Sequence, residues 1–199
     1  MTLARGTDRI DSERLVLRRI TREDLGFLVR IHADPEVSRY LGHGQPRSHQ
    51  ESFAWLHSTL ETYENFELGQ LAVLRKSDGV LIGRCGLSHL AVEARPSTGL
   101  RPRAWYEPGQ VPGGLDVLLE RELGYTFERS YWGNGYASEA ARCVFDYACD
   151  ALKLRRVISL IHPENVRSLR VAQKYRLQHE DTLEVMGHAR DRYVWPPVP

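Results

Sequence analysis

Cysteine is scarce: Cys85, Cys143 and Cys149 are the only three in 199 residues, and no two form a CxxC pair. An odd, sparse set of this kind reads as reduced cytosolic thiols, and the cytoplasm is the expected compartment. An excess of either charge is missing too. Lys and Arg number 27 against 26 Asp and Glu, a net +1, which gives no global field for gripping nucleic acid or an anionic membrane. No apolar run approaches the roughly 20 residues that span a bilayer. Residues 1–11 mix Arg and Asp with no apolar segment of a secretory signal. The eight histidines show neither HxxxH nor clustered ligand spacing, so no metal is expected. No internal repeat or long low-complexity tract is present. What remains, 42% hydrophobic and 27% charged residues, suits one globular domain, or at most two small ones, with an ordered core over about 12–195.

Periodicity supplies the elements. Residues 14–19 read as a short strand, and Thr21-Arg22-Glu23-Asp24 as the start of a helix that Pro35 closes. A second helix is predicted over 48–65, with Phe53, Leu56, Leu60 and Tyr63 on its inner face. Residues 68–74 and 80–90 form a hairpin around Ser77-Asp78-Gly79, and Gly83 and Gly86 suggest a bulge or close backbone approach in the return strand. The Pro- and Gly-rich stretch 93–114 reads as a long loop inserted in the domain, with Trp105 and Tyr106 as a candidate lid.

Residues 115–127 are the clearest strand, with Val117, Leu119, Leu123, Tyr125 and Phe127 on an apolar parity and Glu120, Glu122 and Thr126 on a polar one. A glycine turn then opens a helix over 136–152, with Tyr136, Ala140, Val144, Tyr147 and Ala151 along one face. A strand over 156–161, a helix over 166–174 and strands at 183–186 and 193–195 follow. The order βα(α)ββ-loop-βαβαββ points to an α/β or α+β layered fold with a sheet in the middle. Exposed terminal strands such as 193–195 leave homodimer pairing open.

The chemistry concentrates in residues 122–139, Glu-Leu-Gly-Tyr-Thr-Phe-Glu-Arg-Ser-Tyr-Trp-Gly-Asn-Gly-Tyr-Ala-Ser-Glu. A strand runs into a turn carrying Gly133 and Gly135, and the turn opens a helix. Bare backbone amides at such a bend form a nest for anionic oxygens. A Walker loop needs Gly-Lys-Ser/Thr, which is absent. A dinucleotide fingerprint wants a third glycine where Ser138 stands and an acid about 20 positions on, where Lys153, Arg155 and Arg156 lie instead.

The segment resembles the acetyl-CoA loop of the GNAT N-acetyltransferases, in the RimJ/RimL-like branch that acetylates ribosomal-protein N-termini. The likeness extends to His162-Pro-Glu-Asn-Val-Arg-Ser168, which is similar to the family's Asn-x-x-Ser segment. It reaches back to Ser12-Glu-Arg-Leu-Val-Leu-Arg-Arg, similar to its opening strand. The resemblance implies a mixed, mostly antiparallel central sheet flanked by helices, and acetyl transfer from acetyl-CoA to a primary amine on a protein N-terminus or small molecule. It further implies that Arg129, Ser130, Trp132, Gly133, Asn134, Gly135, Tyr136 and Ala137 hold the pyrophosphate. Tyr125, Thr126 and Phe127 would then pair with the pantetheine arm, and Asn165 and Ser168 would contact the cofactor.

The chain departs from the family pattern in three places. Ser130 stands where Gln or Arg is common, with Arg129 as a substitute. Arg176-Leu177 replaces Gly-Phe, and Ala172 falls where some members carry an acidic tyrosine. These departures leave a non-catalytic acyl-CoA-binding or sensing domain as the alternative.

For catalysis, Glu122 is the first choice of base, against a salt-bridged strand glutamate, with Glu120 and Glu184 behind it. Ser168 is the candidate to serve the departing sulfur, against a plain first-turn helix serine. The amine acceptor is unspecified.

Overall fold

The structure, a computed structural model, describes residues 9–66, 68–94, 103–106 and 110–195. Its packing divides the chain into two compact units. The first runs to Leu87 and resumes over Gly124–Lys153; the second takes Ser88–Leu123 and the chain from Leu154 onward. Strands β4 (Leu81–Glu93) and β6 (Val117–Phe127) each begin in one unit and end in the other.

In the first unit β1 (Arg9–Asp11), β2 (Leu15–Arg19), β3 (Gln70–Arg75) and the opening of β4 form antiparallel ladders in that order. β1 escapes the sequence pattern because Arg-Ile-Asp offers a single apolar residue. Helix α1 (Leu25–Ala33) ends before Pro35, as expected, and Pro35 itself starts the short α2 (Pro35–Ser38). A proline there loses no helical bond, and Asp34 Oδ1 accepts from the Glu36 amide at 2.9 Å.

Helix α3 (His49–Asn65) has a reciprocal cap. Ser48 Oγ accepts from the Glu51 amide at 3.2 Å, and Glu51 Oε2 accepts from the Ser48 amide at 2.7 Å. Its inner face differs from the expected one. Phe53 is 52% exposed, while Ser52, Leu56 and Thr59 are buried, because α1 packs close against α3 and places a polar group of its own there. Leu28 and Ile31 from α1, Leu56 and Ala72 share this core.

That polar group is His32, 1% exposed, whose Nδ1 lies 3.2 Å from Ser52 Oγ and whose ring stands edge-on to Trp55. Burial, then the charges of Arg84 and Arg47, push its pKa down to about 3. Above its ordinary value near 6.5 the ring is neutral in both states and contributes no pH dependence. Below that value the unfolded chain binds a proton that the folded chain refuses, so stability falls with pH down to about 3, by up to about 1.4 kcal/mol per pH unit. Denaturant titrations between pH 7 and 5 should show this slope, and His32→Asn should flatten it. A wild-type stability that stays constant over that range would refute the assignment.

Gly83 meets its expected role. A Cβ there would lie 2.6 Å from both Phe127 Cδ1 and the Thr126 carbonyl, and the β3–β4 register slips between Val73 and Leu74 beside it. Helix α4 (Tyr136–Asp150) packs on β1 and β2 through a face that includes Ala140, Ala141, Val144 and Ala148.

The second unit holds the rest of β4, then β5 (Arg103–Tyr106), β8 (Gln178–Val185), β9 (His188–Val194), β7 (Ile158–Ile161) and the opening of β6. The pairs β5–β8 and β6–β7 are parallel, and the other ladders are antiparallel. The fold is thus the expected mixed, mostly antiparallel α/β type.

Three expectations are corrected here. Trp105 and Tyr106 form a strand, not a lid: they pair with Val92 and Ala91, and Trp105 packs against Leu90, Val92 and Leu183. The rest of the expected 93–114 loop falls partly at 95–102 and 107–109, outside the described residues. The terminal strands are longer than predicted, and β9 lies between β7 and β8 with Trp195 2% exposed, so 193–195 offers no open edge. Finally, the opening of β6 departs from the expected parity: Leu119 is 66% exposed and Glu120 only 5%, while Leu123 and Phe127, at 1% and 4%, lie inside as expected. Glu120 accepts from Arg156 Nε at 2.9 Å and from Arg192 Nη1 at 3.1 Å, and that pairing draws the carboxylate inward.

Helix α5 (Val166–Lys174) matches its predicted span. Just beyond it Arg176 sits at φ 54°, the left-handed conformation in which helices usually place glycine.

Candidate active site

In the first unit β6 ends at Phe127 and the chain makes one tight 3-10 turn over Arg129–Tyr131. Trp132 is extended. Gly133 and Gly135 then adopt φ +80° and +79°, and α4 begins at Tyr136. Only glycine enters that region without strain. A Cβ at Gly133 would meet open space, and one at Gly135 only the tip of Arg14 at 3.5 Å, so both glycines answer to backbone shape rather than crowding. The amides of Gly133, Gly135 and Ala137 find no acceptor among the described residues. They sit where the positive end of the α4 dipole lies, an arrangement that attracts anionic oxygens.

Side chains brace the bend from within and from behind. Asn134 Nδ2 donates to the carbonyls of Tyr131 and Trp132 at 3.2 and 3.1 Å. Trp132 Nε1 donates to the Phe127 carbonyl at 2.8 Å, and its ring packs on the α1–α3 core. Asn134 and Trp132, both expected at the ligand, therefore shape the loop with their side chains. Arg129 and Ser130 are exposed, and the Arg129 guanidinium has no partner among the described residues, which leaves it available to a phosphate. Tyr136 is the first residue of α4, with Arg14 over its ring. Tyr125 is half-buried; Thr126 and Phe127 are 6% and 4% exposed, and Thr126 Oγ1 is buried without a partner.

Behind the bend, Glu139 accepts from Ser12 Oγ, the Arg14 amide and Arg14 Nε, each at 2.7 Å. Burial alone would raise the Glu139 pKa, but these three bonds outweigh it and the net direction is down. Sequence reading missed this pair because its members lie 125 positions apart and carry no local signal beyond the two motifs in which they stand.

In the second unit Asn165 caps α5, its Oδ1 accepting from the Ser168 amide at 3.2 Å. The Ser168 hydroxyl and the Asn165 Nδ2 carry no partner among the described residues. The helix-cap role and a ligand role are thus compatible in both residues. Glu122 is half-buried on β6, opposite Ile158 of β7. Burial pushes the Arg190 pKa down, and the Glu122 charge opposes that shift. Glu120 is committed to Arg156 and Arg192, which sets it aside as a base. Glu184 is exposed on β8, opposite Ala104 and Ala189. Ala172 is 3% exposed and supplies no acid.

A family model described as "Acetyltransferase (GNAT) domain" matches residues 14–178. A protein named Uncharacterized N-acetyltransferase p20, from Bacillus licheniformis, is 25% identical over 183 residues, 92% of this chain and 89% of the relative. Among solved structures, an acetyltransferase from Agrobacterium tumefaciens str. C58 superposes with a TM-score of 0.72 at 23% identity, covering 98% of both chains. RimL, a ribosomal L7/L12 alpha-N-protein acetyltransferase solved with coenzyme A, gives a TM-score of 0.68 at 14% identity, covering 94% of this chain and 96% of its own.

Proposed function

The chain belongs to the GNAT acetyltransferase family and is an acetyl-CoA-dependent enzyme; from that premise we propose that it acetylates a primary amine, on a protein N-terminus or a small molecule, by direct attack in a ternary complex. The observation that carries this reading is the pair of left-handed glycines at the start of α4, whose amides have no partner among the described residues. A diphosphate needs several convergent donors, and this bend offers them with Arg129 alongside.

In this reading the loop of residues 129–137 holds the diphosphate, and the 125–127 strand end guides the pantetheine arm. Asn165 Nδ2 donates to that arm. The amine nitrogen attacks the thioester carbonyl carbon, and the C–S bond breaks to release CoA thiolate. Glu122 takes the amine proton through a water, and the Ser168 hydroxyl serves the departing sulfur. Much of the acceleration comes from holding two reactants in line, which at its best supplies roughly 7–11 kcal/mol. Three unbridged thiols suit a reducing compartment, and the cytoplasm is the proposed location.

The test is acetyl-CoA incubated with a panel of peptides and small amines, following release of free CoA. Wild type should release CoA with at least one acceptor. Glu122→Gln should lower kcat about tenfold, as expected for a base acting through water, and remove the acid limb of its pH profile. Tight CoA binding without release across the panel would favour the non-catalytic alternative. An unaltered pH profile would move the base elsewhere.

A further inference from the structure

The loop that presents the amides is built around two glycines, and their freedom works against a fixed donor array unless something removes it. One side chain reaches three parts of that array. Arg14, at the entrance to β2, donates from Nη1 to the Asn134 carbonyl at 3.0 Å, between the two glycines. It donates from Nε to Glu139 Oε2 at 2.7 Å, in the first turn of α4. Its guanidinium also lies 4.7 Å from the centroid of the Tyr136 ring, the first residue of that helix. The Arg14 amide and Ser12 Oγ hold the other Glu139 oxygen, both at 2.7 Å. The planar fork thus ties loop and helix start to the β2 strand, which is itself paired on both sides, with β1 and β3. A guanidinium can do this because its donors diverge in one plane; an ammonium has no such span.

We propose that Arg14 is a positioning residue for acetyl-CoA: by fixing the Asn134 carbonyl and Glu139 it keeps the amides of residues 133–137 convergent on the diphosphate. This rests on the reading of that loop as the diphosphate site, and the test separates the two. Initial rates with varied acetyl-CoA are measured for wild type, Arg14→Ala, Arg14→Lys, Glu139→Gln and Gly135→Val, the last reporting on the loop itself.

Arg14→Ala should raise the KM for acetyl-CoA roughly tenfold, the equivalent of one charge-assisted hydrogen bond. Its kcat at saturation should stay within about twofold and its acceptor KM unchanged, because a positioning defect in donor binding is overcome by mass action. Arg14→Lys should recover only part of the loss, and Glu139→Gln should shift KM in the same direction by less. An unchanged KM in Arg14→Ala, with a raised one in Gly135→Val, overturns the positioning role and leaves the site standing. Full recovery by lysine also overturns it, reducing Arg14 to a charge. Unchanged KM in both Arg14→Ala and Gly135→Val overturns the loop reading itself. Should the alanine variant fail to fold, the lysine and Glu139 variants carry the same comparison.

Discussion

Gly135→Val is expected to weaken acetyl-CoA binding by on the order of a hundredfold, the loss of about two charge-assisted hydrogen bonds. Gly135 holds φ +79°, where an L-residue is strained by roughly 1–2 kcal/mol and a β-branched one is a genuine outlier. The cheapest relief is to rotate the adjoining peptides to negative φ, and that rotation turns the amides away from the ligand. Global stability should fall far less. Gly135 is exposed, and only the tip of Arg14 lies within 4 Å of the added Cβ. Calorimetry with CoA and a thermal melt on the same sample separate the two effects. Wild-type affinity in the variant would show that the bend is a turn and nothing more.

The second large effect concerns stability. Arg192 is 2% exposed and holds Glu120 through Nη1 at 3.1 Å and Asp181 through Nε and Nη2, both at 2.8 Å. Arg192→Ala removes the cation and leaves Glu120 buried beside Arg156 alone. Breaking one partner out of a buried ionic cluster typically destabilises by about 3–5 kcal/mol, or roughly 10 °C in Tm for a chain of this size. Arg192→Met, which keeps most of the volume, should recover part of that loss, because packing contributes alongside charge. A melt of Arg192→Ala within a degree or two of wild type would show the cluster to be incidental.

Where local pattern decides, the sequence was readable. The helix over 166–174 and the bend at 133–135 lie where they were expected, because an asparagine cap and paired glycines leave the backbone few alternatives. Where distant charges decide, it was not. Glu120 belongs to a polar parity on β6, yet it lies inside because Arg156 and Arg192, 36 and 72 positions away, meet it there. The alternation pattern shows only part of β8 and β9 for the same reason. Their partners include Asp181 opposite Arg192 and Leu183 opposite Arg190, and buried arginines do not register as apolar alternation. The left-handed glycines before α4 and the Asn165 cap of α5 were legible as local motifs. The bracing by Arg14 and Glu139 was not, since nothing in either segment announces the other.

The way β4 and β6 pass from one compact unit to the other has a consequence for how the chain is made. Each unit closes on two stretches separated by a piece of its neighbour, so the ribosome never releases one finished before starting the next. β1 and β2 emerge early, but α4, which covers them, follows only after more than a hundred further residues. At roughly 5–20 residues per second that leaves an apolar sheet face bare for on the order of ten seconds. Nascent chains of this enzyme should therefore lean on holdase chaperones until α4 has left the exit tunnel.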